Sequence, residues 1–483
     1  MENKKHYETY PYPPRDAKEL HQTFTDTLEM INFNCFDGKE TFNNFRILVP
    51  GCGTGDGVVW LALQLKDKNC KIVALDISQP SLDICKSRVE YQELDNVEFI
   101  NHDILKIDEL QLDKFDYISC SGCLHHLIDP VQGLINLKNL LKPSGAIAIM
   151  VYAKYGRTGV YQIQNMMRII NGKEKNMQLK VDRTKEVISK LGPNSWYNHQ
   201  KNWFTDTTLF GDNGIYDIFL HGQDRCYDVE ELYNFIECGG MRMITFSSRK
   251  YMYNPENYGL SKEIVDQINS LDAKKRYHIG EILSGHIITH EFYIRHKEDD
   301  TQKMANIKDL ENIPYYLNTL PDQYIENIIE IAEYNKKEEV TIIINKNEVT
   351  FKYNKYLKRI FNLIDGNRTL FEIFDIIIKE LNGITHNILV DAFTEAFTKL
   401  SEFSILYLRH ASVPKFRHTK KKEIEKRLLD SQQTRLSTKS IEPPKPPSDI
   451  EYQTMEKLKK SKEFKKLLKL VNKYDKNKKD ILN

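Results

Sequence analysis

The sequence predicts an α/β protein: a doubly wound, mostly parallel sheet with a helical cap, followed by a small α+β module. Three observations carry this. Five short apolar runs alternate with helical stretches between Arg46 and Ala153. Strands apolar on both faces and separated by helices imply βαβ units, hence a parallel sheet covered on both sides. A glycine cluster directly follows the first run, and aspartates lie at the ends of the second and third. With 40% hydrophobic and 28% charged residues, the chain can bury a core.

Taken in order, RILVP (46–50) is the first strand and VVWLALQL (58–65) the helix behind it. KIVALDI (71–77) is the second strand, followed by the helix SLDICKSRVEYQEL. VEFINHDI (97–104), FDYISCS (115–121) and GAIAIMVYA (145–153) are the third to fifth strands. The period breaks after Ala153. Residues 154–225 read as helices and loops rich in aromatics, including Tyr155, Tyr161, Trp196, Tyr197, Trp203 and Phe204, and form a cap inserted into the sheet domain. DVEELYNFIECGG (228–240) is a helix with Asp228 as N-cap and glycines at its C-terminal end. MRMITF (241–246) and HEFYIRH (290–296) close the sheet around a second helical insertion at about 250–285.

The charged, apolar-poor stretch KEDDTQK (297–303) marks a boundary. Beyond it, residues 339–353 alternate like a hairpin around Lys346-Asn347. The helices YLKRIFNLID, LFEIFDIIIKEL and HNILVDAFTEAFTKLSEF lead to the strand ILYLRH (405–410), an arrangement that fits a small winged-helix module. A Pro-rich joint, EPPKPPS (442–448), precedes a last Lys-rich helix. The expected organisation is an arm over 1–40, the sheet domain over 41–300, an accessory module over 301–412 and a tail over 413–483.

Charge sharpens this division. The whole chain is nearly neutral, with 69 Lys+Arg against 68 Asp+Glu. From Ala411 onward, however, there are 21 basic and 10 acidic residues, a net of +11, which leaves −10 for residues 1–410. The tail therefore suits an acidic partner such as RNA, an acidic protein surface or a membrane face, or is a solvated extension. The eight cysteines are sparse and all lie between Cys35 and Cys238, so free thiols in a reducing compartment are expected. The N-terminus has no apolar leader, and no run approaches ~18 apolar residues. An intracellular, cytoplasmic protein is the expectation.

The chemistry is carried by ILVPGCGTGDG (47–57). Gly51, Gly53 and Gly55 form a tight turn between a strand and a helix, where a Cβ would hinder backbone from approaching a ligand. The dinucleotide pattern G-x-G-x-x-G would need glycine at 56, where Asp56 stands, so nicotinamide or flavin binding is disfavoured. Asp76 closes the second strand, placed to bond ribose hydroxyls, and Asp103 closes the third, facing an adenine amine. Ser119–His126 follow the fourth strand. All sit at strand C-terminal ends, where doubly wound sheets bind ligands.

These motifs resemble the class I S-adenosylmethionine (SAM) dependent methyltransferases, over about residues 45–153 and the helix–strand segment 228–246. The resemblance implies a Rossmann-like seven-stranded methyltransferase sheet and SAM as cofactor. Gly51, Gly53 and Gly55 would lie under the methionine moiety, Asp76 would hold the ribose with Ile77 on the base, and Asp103 with Ile104 would face the adenine. Cys120 would complete the cofactor side. Pro50 departs from the acid or small residue common before the first glycine, and Asp56 is the substitute expected to hold the amino group. A cap with an appended module is similar to bacterial protein-lysine methyltransferases and points to a protein or peptide acceptor.

Methyl transfer from a sulfonium is an in-line displacement, so alignment supplies most of the acceleration. Where the acceptor must lose a proton, His126 and His125 are the candidate bases. Asp224 and Arg225, where the cap rejoins the sheet, are placed to contact substrate or to pair with each other. Tyr10, Tyr12 and Arg15 belong to an aromatic-proline arm able to fold over the cofactor. Cys120, Cys123, His125 and His126 have zinc-like spacing, but a buried strand end and two adjacent histidines argue against it, and no metal is expected. Cys120 lacks the preceding proline of cysteine-nucleophile RNA methyltransferases; Ser119 stands there. A small-molecule methyltransferase with the cap around a metabolite, and an inactive SAM-binding assembly factor, are the alternatives.

Overall fold

A computed structural model describes residues 2–416 except 22, 24–26, 248, 302–303, 318–323, 345–346 and 382. The expected Pro-rich joint, the Lys-rich helix, nearly all of the basic tail and half of the Lys346-Asn347 turn lie outside the described residues.

Five parallel strands build the sheet: β1 (Phe45–Pro50), β2 (Cys70–Asp76), β3 (Val97–Asn101), β4 (Phe115–Ser121) and β5 (Leu141–Ala153). The two-residue β6 (Cys226–Tyr227), which the sequence reading did not anticipate, pairs with the end of β5. β7 (Met241–Phe246) and β8 (Thr289–His296) complete the sheet. The order is β3-β2-β1-β4-β5-β8-β7, with β8 antiparallel to both neighbours. The chain reverses at β1, so the first crevice of the sheet opens between β1 and β4, where doubly wound folds bind ligands.

Helices cover both faces. α1 (Glu2–Thr9) and α2 (Leu28–Cys35) precede the sheet; α3 (Asp56–Gln64), α4 (Gln79–Tyr91) and α5 (Pro130–Leu140) are its crossovers. Ile47, Leu48, Ile72, Val73, Ala74 and Ile118 are at most 1% exposed, as strands covered on both faces require. The third strand is shorter than expected. It ends at Asn101, and Asp103 instead caps a 3-10 turn, Ile104–Leu110, by accepting from Leu105 N at 2.9 Å. A capping aspartate satisfies orphan amides and so stops the ladder two residues early.

The stretch expected as a cap, between β5 and β6, contains α6 (Thr158–Asn171), α7 (Met177–Ser189), α8 (Trp196–Gln200), α9 (Asp206–Leu209) and α10 (Gly211–Phe219). Its own core comprises Val160, Ile163, Met167, Val181, Tyr197 and Phe219 among others. α11 (Val229–Cys238) carries a capping box between Asp228 and Glu231. α12 (Lys262–Asn269) and α13 (Ala273–Ser284) form the insertion before β8.

The C-terminal module begins with β9 (Asn312–Tyr316) and α14 (Tyr324–Tyr334), followed by the hairpin β10 (Glu339–Ile344) and β11 (Asn347–Lys352). α15 (Leu357–Leu363), α16 (Leu370–Glu380) and α17 (His386–Glu402) lead into β12 (Leu406–His410), which pairs antiparallel with β9. Its core is shared with the N-terminal region: Met30 and Phe33 of α2 pack among Ile325, Phe361, Phe374 and Leu408. Among the described residues, no helix is long and apolar enough to cross a membrane.

Candidate functional site

The C-terminal ends of β1 to β5 share one edge of the sheet, because register sets Pro50 beside Leu75, Asp76 beside Asn101 and Cys120 beside Ile149. The chain leaves β1 through Gly51, Gly53 and Gly55, with φ of +63°, +52° and +93°. L side chains rarely adopt this left-handed region. A Cβ on Gly53 would stand 2.8 Å from the Tyr12 carbonyl oxygen, and one on Gly55 would collide with Cys85 Sγ. The turn is tied to β2 twice: Cys52 N donates to Leu75 O at 3.1 Å, and Gly53 N donates to Asp76 Oδ2 at 2.8 Å.

Asp76 also accepts from Ser78 N at 2.9 Å, while Ser78 itself caps α4. Asp76 is thus not the helix cap. Burial pushes its carboxyl up, and the amide bonds pull against that shift. Ile77 beside it is half-buried, and Ile104 is buried at the neighbouring strand end. The residues fit SAM: a carboxylate at the end of β2, a glycine turn at the end of β1 and apolar flanks for a base.

Asp56 behaves differently from the expectation that it holds the cofactor's ammonium. Its carboxylate accepts from Arg15 Nε at 3.0 Å and Nη2 at 2.6 Å, and Arg88 Nη1 lies 2.8 Å away. Burial alone would raise this carboxyl, but the two guanidiniums overcome it and hold it at about 2. Both oxygens are committed to cations, so Asp56 anchors the N-terminal arm rather than standing open to ligand. The arm continues along the same edge: Thr54 Oγ1 donates to Pro13 O at 2.6 Å, and Ser78 Oγ to Tyr7 O at 3.1 Å. Tyr12 reaches the cap through a 2.6 Å bond to Asp206, and Tyr10 stacks on Tyr216.

Cys120 is buried, its Sγ 3.1 Å from Cys123 Sγ, and burial pushes its thiol up. A thiol held protonated is a poor nucleophile.

Past β4, His125 and His126 turn toward the cap, where Asp224 joins them. Each of the three offers a ligating atom, and these atoms lie within 4.8 Å of one another. This grouping differs from the zinc-like spacing of the sequence: Asp224, rather than Cys120 or Cys123, stands with the two histidines. Asp224 and Arg225 do not pair; Arg225 Nη2 donates to Ile128 O, while Asp224 accepts from Gln164 Nε2 at 2.6 Å. His126 Nδ1 stands 2.9 Å from Gln223 O, and its ring stacks on His221 at 3.9 Å.

Burial strips the histidines of proton affinity: His126 falls to about 3 and His125 lies well below its usual range. Both are therefore weak bases at neutral pH. Asp217 is pushed up to about 7 by burial and the Asp224 charge, and is the acid whose proton affinity matches neutral pH. Tyr7, from the arm, donates to Asp217 Oδ1 at 3.5 Å and lies 3.3 Å from His221 Nε2. Arg157 is buried with its guanidinium 3.6 Å over the Tyr152 ring. Tyr7, Tyr152, Arg157, Gln164, Asp217 and His221 escaped the sequence reading as site residues. Two carried a signal: His221 by its place in FLHGQDRCYD beside Asp224, and Tyr7 as the first residue of the aromatic-proline arm.

The comparisons agree with this geometry. Residues 42–213 match the family model described as a methyltransferase domain. An uncharacterized protein of Synechococcus sp. is 28% identical over 295 residues, covering 60% of this chain and 70% of that protein. The ubiquinone biosynthesis O-methyltransferase of Coxiella burnetii is 27% identical over 161 residues, or 33% of this chain and 63% of that enzyme. The structure of PKMT2 from Rickettsia typhi in complex with AdoHcy superposes with a TM-score of 0.57 at 15% identity, covering 83% of this chain and 77% of that one. These matches place a methyltransferase domain over residues 42–213, and the glycine turn, the strand order and the residues at the strand ends give it the Rossmann-like sheet of the SAM-dependent methyltransferases.

Proposed function

We propose that the chain transfers the methyl group of SAM to a side chain of a protein or peptide. One observation carries the acceptor class. The fold likeness to PKMT2 extends over 83% of the chain, more than the sheet domain and cap can supply, so it takes in part of the C-terminal module. A module that recurs with a methyltransferase domain, and shares its core with α2, is built to present an acceptor to it.

Bound SAM supplies a methyl group already activated on its sulfonium. The protein's part is alignment. Gly51, Gly53 and Gly55 give backbone access, Asp76 holds the ribose, and Ile77, Asp103, Ile104 and Cys120 flank the base. His125, His126 and Asp224 form the acceptor side. The histidines orient and exclude water rather than draw off a proton, because burial keeps them neutral and weakly basic. The arm from Tyr7 to Arg15 closes the edge between the two halves of the site.

A second reading has its own support. The acceptor-side cluster is buried beneath the cap, as a metabolite pocket would be, and the Coxiella burnetii relative is named a ubiquinone biosynthesis O-methyltransferase. Incubation with methyl-labelled SAM and cell extract, separated into protein, RNA and metabolite fractions, decides between them. Label in the protein fraction is expected; label confined to metabolites or RNA overturns the proposed acceptor.

A further inference from the structure

We infer that His125, His126 and Asp224 form a binding site for one divalent transition-metal cation of the zinc type, at the junction of the sheet edge and the cap. Two imidazoles and a carboxylate are the donors that borderline cations prefer, and three protein ligands leave a position open. The donor atoms lie within 4.8 Å of one another. Ligands ~2.0–2.1 Å from zinc stand about 3.4 Å apart in a tetrahedron, so the side chains must close by up to about 1.4 Å.

The hydrogen-bond inventory points the same way. Among the described residues, neither buried ring nitrogen of His125 has a hydrogen-bond partner, and neither does Asp224 Oδ1. The His125 side chain is fully buried, as is that of Asp224. Buried polar atoms are almost always paired, so orphans gathered from two ligands of one cluster call for an occupant. The surroundings already hold these groups as outer contacts hold metal ligands. Gln164 Nε2 fixes Asp224 Oδ2 at 2.6 Å and leaves Oδ1 facing the cluster, where His126 Nδ1 stands 3.9 Å away. The Gln223 carbonyl orients the His126 ring, and His221 stacks behind it. The guanidinium of Arg157 lies near Asp224, and Asp217 stands beside Asp224 as a further carboxyl group.

The consequence for catalysis rests on the methyl-transfer reading: a cation here would polarise an acceptor oxygen. The binding site itself is independent of that reading.

The test uses the full-length protein, stripped with chelator and then titrated with Zn²⁺ or Co²⁺ alone. One equivalent per chain is expected by elemental analysis, with visible absorption of Co²⁺ in a low-symmetry site containing nitrogen ligands. His125→Ala and Asp224→Asn should each weaken binding by ~10–100-fold or more. Their affinity for S-adenosylhomocysteine should persist, which both shows that they fold and separates this site from the cofactor site. Substoichiometric metal in the wild-type protein, or equal affinity in folded variants, overturns the inference. Failure to bind S-adenosylhomocysteine with metal binding intact would instead overturn the cofactor reading.

Discussion

Asp76 accepts a hydrogen bond from the Gly53 amide at 2.8 Å, so one carboxylate joins the end of β2 to the glycine turn after β1. The two features that the sequence places 23 residues apart form one unit. Asp76→Ala should weaken S-adenosylhomocysteine binding by about 10–100-fold, the worth of one or two charge-assisted bonds. Isothermal titration reads this directly. Undiminished affinity in a folded variant would mean that the cofactor lies elsewhere.

Gly55 combines a φ of +93° with a position where a Cβ would strike Cys85 Sγ. Gly55→Ala should cost about 1–3 kcal/mol from backbone strain, with the collision added. The double variant Gly55→Ala/Cys85→Ala removes the Sγ collision and leaves the contact with the residue 85 Cβ at 3.0 Å. Urea denaturation should show partial recovery, and no recovery would mean that strain accounts for the whole loss.

Glu281 and His290 face each other inside the protein at 3.5 Å, and at neutral pH neither is charged. Burial raises Glu281 from 4.5 to about 8 and lowers His290 from 6.5 to about 4. The folded state therefore holds the Glu281 proton where the unfolded chain has released it, and this contribution to stability falls as pH rises from 4.5 to about 8. His290 acts oppositely, losing stability as pH drops from 6.5 to about 4. Glu281→Gln removes only the first effect. Its stability relative to wild type should rise between about pH 5 and pH 8, by at most ~1.4 kcal/mol per pH unit. A pH-independent difference in denaturation curves would show that Glu281 is ionised in the fold.

Phe33 of α2 stacks on Tyr407 of β12, with ring centroids 4.5 Å apart and planes 3° from parallel. Phe33→Ala should destabilise the protein by about 3–5 kcal/mol, the usual cost of emptying an aromatic core position. Because this core holds the C-terminal module, protection of amides in α17 and β12 should fall with it in hydrogen exchange. Loss confined to α2 would contradict a shared core.

Much of the catalytic sheet was legible because its signals are local. A strand buried on both faces is apolar along its length, a tight turn needs glycine, and a capping box such as Asp228–Glu231 spans four residues. Asp103 shows the limit. Its type and approximate place were readable, yet whether it ends a strand or caps a turn depends on which amide it reaches, and that amide belongs to Leu105. Asp56 shows a related limit. Its partners Arg15 and Arg88 lie 41 residues before and 32 after it, and only folding brings them together.

A parallel α/β sheet, the glycine turn after its first strand and the aspartate at the end of its second are written in local residue patterns. These follow from side-chain pattern and backbone conformation over a few residues. Tertiary structure alone decided that Asp224 meets His125 and His126, that the arm lies along the glycine turn, and that α2 completes the core of the C-terminal module. Those contacts join segments tens to hundreds of residues apart. Their energy comes from burial and pairing created by the fold, which no local pattern records.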